Sequence, residues 1–334
     1  MGTLVTQTHI ARHLNISQAI VSRVLNGNVK AVSRETAKRI LKASRELKYN
    51  MRKQSQTQFI GVLMPGSPAG ASFLMRLFSG IQDEARRRNA IPIQHILKKG
   101  DALREFMEQV SGLISVVELS DGLTGDLHAR KPVVYLHHHG ISGKHDCVLE
   151  DNRGGFRQAI RKLFELGHRR FGYFDVRPWG VAQAERYGAF HQVLSEFDLP
   201  VPPSEWVATP RRKERSTEDV ERQLREFLSS LRSMKERPTA LLMADAYAIP
   251  FLRLSRESGF SVPGDFSVVG YDDNPECELS RPTLSSIAQP LEEMGKEALG
   301  RLMDRIGNPD MPPRIIRVSM EFKERGSIGR VKLK

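Results

Sequence analysis

Short apolar runs alternate with longer helical stretches through most of this chain, starting at Phe59. A strand buried on both faces needs only four to eight apolar residues, whereas a helix is longer and repeats its apolar positions every three or four residues. Strands that alternate with such helices form parallel sheets covered by helices on both faces. The sequence therefore predicts an α/β fold, long enough for two doubly wound parallel sheets. The predicted strands are 59–64, 91–96, 112–117, 133–136, 170–174, 240–243 and 267–270, and the predicted helices are 74–89, 154–166, 185–197 and 218–231.

The first fifty residues lack this alternation and predict an all-α unit of three short helices. The first helix covers about 7–13 and the second about 18–25. Asn15 lies in the tight turn between them, where a left-handed backbone favours glycine or asparagine. A third helix follows Ser33 and ends near Leu47. The hydroxyl residues placed to cap the three helix N-termini are Thr6, Ser17 and Ser33.

The second helix has one aliphatic face and one face of small, polar and basic residues, which is typical of a helix-turn-helix that reads the major groove. Gln18 can pair with adenine, Arg23 can pair with guanine, and Ala19 can contact the methyl group of thymine. Hydroxyls near helix N-termini suit phosphates instead. The predicted DNA-binding residues are Gln18, Ala19, Ser22, Arg23 and Asn26 at bases, and Thr6, Ser17, Ser33 and Thr36 at phosphates.

Basic charge is concentrated in the same region. Residues 1–58 contain eleven Lys and Arg but two acids, and so contribute +9 to a net charge of +12. A basic head on a nearly neutral body suits a polyanion such as DNA, and a small helical domain that binds protein is the alternative. No apolar run approaches the roughly 20 residues that cross a bilayer, and no secretory signal is visible. Because Cys147 and Cys277 are isolated, composition predicts a cytoplasmic protein without membrane partners.

The head carries a dense family pattern. Residues 10–27 read Ile-Ala-x-x-x-x-Ile-Ser-x-x-x-Val-Ser-Arg-Val-Leu-Asn-Gly, and Val32-Ser33, Thr36 and Glu46-Leu47-Lys48-Tyr49 follow. This pattern resembles the DNA-binding head of LacI-type (lactose-repressor-type) transcriptional regulators. The resemblance implies a homodimer with two recognition helices on a pseudo-palindromic, double-stranded operator. It also implies repression, because most members of that family repress.

The linker at 51–58 departs from the family pattern. Many LacI-type proteins have a hinge helix here with an Ala-Arg-x-Leu pattern, whose leucine wedges into the minor groove and bends the operator. This chain reads Met-Arg-Lys-Gln-Ser-Gln-Thr-Gln, without that pattern. We therefore expect no leucine wedge, phosphate contacts from Arg52 and Lys53 at most, and weaker coupling between effector and DNA.

Phrases throughout the body resemble the effector domain of the same family, which is similar to periplasmic sugar-binding proteins. They lie at 151–155, 166–170, 184–190, 263–273 and 282–287. The resemblance implies two α/β lobes with a small sugar-type effector between them, beyond the carboxyl ends of the strands. The expected units are a head at 1–50, a linker at 51–58, a first lobe at 59–163 and 288–318, and a second lobe at 164–287 and 319–330.

Five residues of the body are candidates for binding this effector. Arg186 matches the family arginine that holds sugar hydroxyls or an acid group, and Asp272 matches the family acid after Gly-Tyr at a strand end. Asp245 follows a strand where the family usually has Asn-Asp and this chain has Asp-Ala. Trp179 and Phe73, each predicted in a loop after a strand, are candidates for stacking on a sugar ring, with core packing as the alternative.

The C-terminal part of the sensor carries a second resemblance. Residues 245–246, 278–281, 284–289, 294–295, 301–302 and 311–312 look like the sensor of xylose-responsive regulators. Those proteins usually carry a different DNA-binding domain after the sensor. The resemblance implies a pentose effector such as xylose.

Catalytic, cofactor and metal sites are not expected. His137, His138 and His139 are consecutive, and consecutive residues at a strand end point to opposite faces, so they rarely converge on one ion even with His128 and His145 nearby. A glycine-rich phosphate loop and a nucleophile elbow are both absent from the sequence. The alternatives to a regulator are a sugar-acting enzyme and a sugar-binding protein, each without operator binding.

Overall fold

The computed structural model of the chain describes residues 5–25, 32–47, 57–65, 71–97, 103–117, 131–137, 145–175, 181–208 and 216–331. Within them lie an all-helical head and two α/β lobes. In chain order the elements are α1 (Gln7–Leu14), α2 (Gln18–Leu25), α3 (Arg34–Glu46), β1 (Gln58–Pro65), α4 (Ala71–Arg87), β2 (Ala90–Leu97), α5 (Arg104–Gln109), β3 (Gly112–Ser115), β4 (Val133–Leu136), β5 (Asp146–Glu150), α6 (Asn152–Glu165), β6 (Phe171–Phe174), α7 (Val181–Glu196), β7 (Val207–Ala208), α8 (Thr217–Ser233), β8 (Ala240–Met243), α9 (Asp245–Glu257), β9 (Ser267–Asp272), α10 (Glu276–Leu279), β10 (Ser285–Ala288), α11 (Leu291–Gly307), β11 (Ile315–Val318) and β12 (Glu321–Lys323).

The head confirms the predicted three-helix arrangement. The bounds of α1, α2 and α3 agree with the predicted ones to within about one residue. Each helix contributes aliphatic side chains to one small core, because its apolar positions recur on one face. The fully or nearly fully buried members of that core are Ile10, Ala11, Val21, Val24, Ile40 and Ala43.

Each lobe is built on one six-stranded sheet. The first sheet has the order β11-β5-β4-β3-β1-β2, and all its neighbours pair in parallel. The second has the order β12-β10-β9-β8-β6-β7, parallel except for β12, which runs antiparallel to β10. The predicted α/β class with two parallel sheets and an all-α head is therefore confirmed. Parallel strands carry polar residues at their carboxyl ends to one edge of each sheet, which positions the candidate site.

The boundary between the lobes lies one helix earlier than the predicted position at 163. Helix α6 packs on the second sheet, where Phe156 and Ile160 share a core with Phe171 and Tyr173. The chain therefore leaves the first sheet at the end of β5, near Asp151, because the apolar face of α6 finds its neighbours in the second lobe. It crosses again between β10 and α11 and between β11 and β12.

Strand β5 was not predicted, and its end residues explain why. Acidic side chains at Asp146 and Glu150 interrupt the apolar pattern that identifies a buried strand. Both are nevertheless buried, at 2% exposure each. Asp146 accepts hydrogen bonds from Arg301 Nε at 2.7 Å and from Arg305 Nε, so α11 neutralises it. Long-range ion pairing thus permits a strand that local pattern does not reveal.

Candidate DNA-binding face and effector cleft

Local hydrogen bonds and a left-handed turn define the two ends of α1, the first helix of the head. Thr6 Oγ1 accepts from the backbone N–H of His9 at 3.3 Å, and the backbone N–H of Thr6 donates to His9 Nδ1 at 3.1 Å. This is a capping box with histidine at the position where Glu or Gln is usual. Asn15 ends the helix at φ 52°, ψ 48°, so the predicted left-handed turn is confirmed.

The recognition helix presents the expected face to solvent. Gln18, Ala19 and Arg23 are exposed and Ser22 is half-buried, while Val21 and Val24 on the opposite side are buried. Gln18 and Ser22 are four positions apart, as are Ala19 and Arg23, so helical periodicity brings the two pairs onto one side of the helix. The predicted base-contacting residue Asn26 lies outside the described residues.

The hydroxyl residues of the head occupy helix N-termini. Ser33 is exposed, and its Oγ accepts from the backbone N–H of Thr36 at 3.2 Å and donates to Thr36 Oγ1 at 2.8 Å. Ser17 is exposed before α2, where its carbonyl oxygen accepts from the N–H of Ile20 at 3.1 Å. Free N–H groups at such N-termini are suited to phosphates, which is the role predicted for Thr6, Ser17, Ser33 and Thr36.

In the body, polar side chains gather where strands of both sheets end. In the first sheet, His137 follows β4 and Glu150 is the last residue of β5. Asp175 follows β6, and Asp272 ends β9, in the second sheet. Gln289 follows β10 at the second crossing between the lobes. Residues from two sheets thus form one cluster, which we call the cleft.

Arg186, on α7, is the central cation of the cleft. Its guanidinium carbon lies 3.8 Å from the centre of the Tyr271 ring, and its Nη1 lies 3.6 Å from Asp175 Oδ2. The hydroxyl of Tyr173 donates to the same oxygen at 3.2 Å. Burial opposes the charge, but Tyr271, Asp272 and Asp175 outweigh it and raise the pKa of Arg186. Arg186 is therefore held charged although its side chain is largely buried.

Asp272 lies beside Arg186 with its backbone in an unusual conformation, at φ 116°. Its Oδ1 accepts from Gln289 Nε2 at 2.6 Å. Burial raises the pKa of the Asp272 carboxyl, although Arg186 and Gln289 act in the opposite direction. The structure thus brings together Arg186 and Asp272, the two strongest candidates from the sequence.

A second set of hydrogen bonds links the lobes across the first crossing. Glu150 Oε2 lies 2.8 Å from His137 Nδ1, and Asn152 Nδ2 donates to Glu150 Oε1 at 3.5 Å and to Glu185 Oε2 at 3.2 Å. The hydroxyl of Tyr271 donates to Asn152 Oδ1. Glu150, Asn152, Glu185 and Tyr271 were not among the predicted effector contacts. Their signal in the sequence is a polar residue directly after an apolar strand, as at His137, Asp175 and Gln289.

Three buried polar atoms of the cleft have no hydrogen-bond partner among the described residues. They are His137 Nε2, Arg186 Nε and Gln289 Oε1. Buried polar atoms without partners cost about 1–3 kcal/mol each, so they are uncommon unless a ligand completes them. Their convergence indicates a ligand-binding site.

Asp245 differs from its predicted role. It is fully buried, and its Oδ1 accepts from Ser286 Oγ at 2.8 Å. Its Oδ2 accepts from the backbone N–H of Asn274 at 2.8 Å and from Cys277 Sγ at 3.2 Å. Burial, with the charge of Asp272, raises the pKa of Asp245 to about 7. Because both oxygens are occupied by protein groups, Asp245 fixes the turn after Asp272 rather than facing a ligand.

The two aromatic candidates have different outcomes. Phe73 lies within α4 rather than in a loop, packs against the core of the first lobe, and has its ring centre 4.9 Å from that of His137. It therefore combines core packing with a position at the edge of the cleft. Trp179 lies outside the described residues.

No group of three His, Cys, Asp or Glu side chains in the described ranges is placed to hold a metal ion. His128, His138 and His139 are outside those ranges. None of the helices in the described part of the chain combines the length and apolar character needed to cross a bilayer.

Known proteins resemble this chain in both the head and the body. Residues 7–51 match the family described as bacterial regulatory proteins, lacI family, and residues 160–328, just over half of the chain, match the periplasmic binding protein-like domain. The NTD biosynthesis operon regulator NtdR of Bacillus subtilis (strain 168) is 27% identical over 329 residues, covering 94% of this chain and 96% of that protein. The ribose operon repressor of Haemophilus influenzae is 27% identical over 322 residues, covering 92% and 93%. A solved transcriptional regulator CelR–cellobiose complex is 25% identical with a TM-score of 0.69, covering 97% of this chain and 99% of that one.

Proposed function

Because this chain is a DNA-binding repressor of the lacI family of bacterial regulatory proteins and has a domain of the sugar-binding type, we propose that a small sugar in the cleft controls its operator binding. The observation that carries this proposal is the pairing of an exposed recognition face with a cleft that holds three unpartnered, buried polar atoms. A pentose is the proposed effector, in line with the sensor resemblance and with the name of the ribose operon repressor.

The head supplies sequence recognition in this proposal. Gln18, Ala19, Ser22 and Arg23 contact base edges, with Asn26 beyond them, and the capping hydroxyls stand near phosphates. Exposed basic side chains on α1 and α3, such as Arg12, Arg34 and Lys38, add sequence-independent attraction. Specificity therefore depends on the recognition helix, and affinity depends largely on charge.

The body supplies dimerisation and control. Edge strand β2 pairs only with β1 in the described sheet and leaves Ile91 and Ile96 exposed, which suits coverage by a second copy. Arg186 and Asp272 hold the effector, with Phe73 and Trp179 at its rim. Because the chain crosses between lobes beside these residues, an effector that prefers one lobe arrangement shifts the spacing of the two heads. We place such a homodimer in the cytoplasm, with residues 1–50 as head and 51–58 as linker.

Selection of bound DNA from a random double-stranded pool by the full-length protein tests this function. We expect a pseudo-palindromic site whose binding weakens steeply with salt, and about 10- to 100-fold weaker binding for Arg23→Ala. Arg161→Ala, an exposed arginine of the body, is the matched control. A sugar that alters operator affinity should lose its effect in Arg186→Ala, with sugar-free operator binding retained.

The alternatives give different results. Tight sugar binding without any selected DNA would identify a sugar-binding protein, and turnover of a sugar by the pure protein would identify an enzyme. A single sedimenting species at monomer mass on the selected site would contradict the dimer.

A further inference from the structure

We propose that the second lobe has a further binding site, for a phosphorylated small molecule, in a pocket at the amino-terminal edge of its sheet. The pocket has a volume of about 320 Å³, which is within the range of pockets that hold small ligands. Its lining contains four arginines, and we call it the arginine pocket. They are Arg169, Arg170, Arg237 and Arg330. The inference goes beyond the proposed function and does not depend on it.

The arginine pocket lies at the opposite end of the strands from the cleft. Its lining residues Arg170, Thr239 and Phe266 directly precede strands β6, β8 and β9 of the second sheet. Asp175 and Asp272 of the cleft lie at the other ends of β6 and β9. Because a strand rises about 3.3 Å per residue, the chain from Arg170 to Asp175 separates the two sites by about 16 Å. The arginine pocket is therefore distinct from the effector site.

Arg330 gives the clearest indication of a ligand. The backbone on both sides of it is fixed: His168 Nε2 lies 2.9 Å from the carbonyl oxygen of Gly329, and the N–H of Val331 donates to the carbonyl oxygen of Leu166 at 3.0 Å. The side chain of Arg330 is half-buried in the lining, yet it forms no hydrogen bond or ion pair with any residue that the structure describes. An ordered backbone thus holds a guanidinium group whose N–H donors are all uncommitted.

Two neighbouring arginines are fixed by carbonyl oxygens, which do not neutralise them. Arg170 Nε donates to the carbonyl oxygen of Arg237 at 2.9 Å. Arg169 Nη1 donates to the carbonyl oxygens of Phe164 at 2.9 Å and His168 at 2.8 Å, and its guanidinium carbon lies 3.6 Å from the centre of the Phe164 ring. The remaining N–H groups of Arg169 and Arg170 form no hydrogen bond with the described residues. Both guanidinium groups are therefore ordered and still able to donate to a ligand.

The described lining contains one carboxylate against these cations, and both of its oxygens already have partners. Asp265 Oδ1 accepts from Arg237 Nη2 at 2.9 Å, and its Oδ2 accepts from the backbone N–H of Ser261 at 2.8 Å. Burial lowers the pKa of the His168 imidazole, so this side chain is neutral at pH 7 and adds no charge. Four arginines and one aspartate leave the described lining with an excess of three positive charges.

A phosphate group complements this excess. Like charges held together in a partly buried pocket repel one another, and a bound anion removes that repulsion. Guanidinium groups form paired, charge-assisted hydrogen bonds with phosphate oxygens, and a phosphate monoester carries about 1.5 to 2 negative charges at pH 7. A monocarboxylate brings less charge and fewer acceptor oxygens, and an unphosphorylated sugar brings no charge. The arginine pocket therefore favours a phosphorylated compound over either of them.

Titration calorimetry on the full-length protein at physiological salt tests this. The probes are inorganic phosphate, pyrophosphate, D-glucose 6-phosphate and D-fructose 1,6-bisphosphate, and the controls are acetate, D-glucose and D-fructose. We expect at least one phosphorylated probe to bind at least about 10-fold more tightly than every control, because the controls lack the charge-assisted hydrogen bonds of a phosphate. Binding of no phosphorylated probe, or equal binding of probes and controls, would overturn the inference.

Arg330→Ala assigns the tightest-binding probe to the arginine pocket. Because the Arg330 side chain forms no hydrogen bond or ion pair with the described residues, its removal should leave the fold intact. Affinity for the probe should fall at least about 10-fold. Arg330→Lys keeps the charge without the paired geometry and should lose less. Arg161→Ala, at an exposed arginine of the same lobe outside the lining, is the matched control.

The basic head and the cleft also contain arginines, so variants there identify the site that binds. Arg34→Ala in the head and Arg186→Ala in the cleft should each retain the affinity of the original protein for the probe. Unchanged affinity in Arg330→Ala, or a loss in Arg34→Ala or Arg186→Ala that equals the loss in Arg330→Ala, would overturn the inference. Selection of an operator uses no phosphorylated probe, so failure of this inference is distinguishable from failure of the proposed function.

Discussion

The head and the cleft perform their proposed tasks with side chains that are organised on very different scales. The candidate base contacts of the described head lie on one short helix, from Gln18 to Arg23, and helical periodicity alone decides which of them face outward. The cleft assembles His137, Asp175 and Gln289 from the ends of strands in two sheets. A local code therefore specifies the DNA-binding face, whereas only the complete topology specifies the effector site.

This contrast extends to stability. Among the residues that the structure describes, the core of the head contains six buried residues, whereas the largest core of the second lobe contains 18. A small core buries little apolar surface, so the head has less stability to lose before it unfolds. The same substitution should then have different consequences in the two regions.

The largest expected effect comes from paired substitutions, Ile10→Ala in the head and Ile160→Ala in the second lobe. Both side chains are fully buried, and each truncation costs about 2–4 kcal/mol. In the head this loss exceeds the stability that its small core provides, so the head should unfold. Operator affinity should therefore fall roughly 100-fold or more. In the lobe the fold should survive with a lower unfolding temperature. Gel shift measures the first effect, and fluorescence of the two tryptophans, both in the body, measures the second.

Equal losses of operator affinity in the two variants would contradict this contrast, because they would mean that head and body unfold as one unit. Retained operator binding in Ile10→Ala would contradict it as well. Sugar binding by Ile10→Ala is the internal control, since the cleft contains no head residue.

The sequence predicted the head almost completely, because its determinants are neighbours in the chain. The cap at Thr6, the left-handed turn at Asn15 and the alternation of Val21 with Ser22 and Arg23 require no distant contact. In the cleft, Arg186 and Asp272 were predicted from a resemblance, but Glu150 was not. Its strand is identifiable only through pairing with β4 and β11, whose positions depend on residues far away.

Asp245 shows the same limit at the level of single atoms. Its position after a strand was predicted, and the direction of its carboxylate was not. That direction depends on Asn274, Cys277 and Ser286, which lie 29 to 41 residues further along the chain. Sequence patterns therefore locate the edge of the sheet where a ligand binds, but not which oxygens remain open to it.

A smaller effect concerns the pH dependence of the body, through Asp245. Its folded pKa is about 7, well above the value near 4 of an unfolded aspartate. Between pH 4 and 7 the folded state binds more protons than the unfolded state, so stability falls as pH rises through this window and levels off above it. From pH 5 to 7 the body should lose about 2 kcal/mol relative to Asp245→Asn, which has no charge to bury. Chemical denaturation followed by tryptophan fluorescence measures the difference, and parallel pH profiles of the two proteins would contradict it.

The smallest expected effect concerns the hydrogen bond that caps the N-terminus of α1 in the head. His9 closes the N-terminus of α1 by accepting from the Thr6 N–H, the position at which Glu or Gln is usual. His9→Gln keeps an acceptor, whereas His9→Ala removes it and should destabilise the head by about 1 kcal/mol. Hydrogen exchange of the Thr6 amide should therefore accelerate in His9→Ala and stay near the original rate in His9→Gln, with amides of β9 unchanged in both. Identical exchange in the two variants would mean that packing, rather than the cap, holds α1, and the head would then depend on tertiary structure as much as the cleft does.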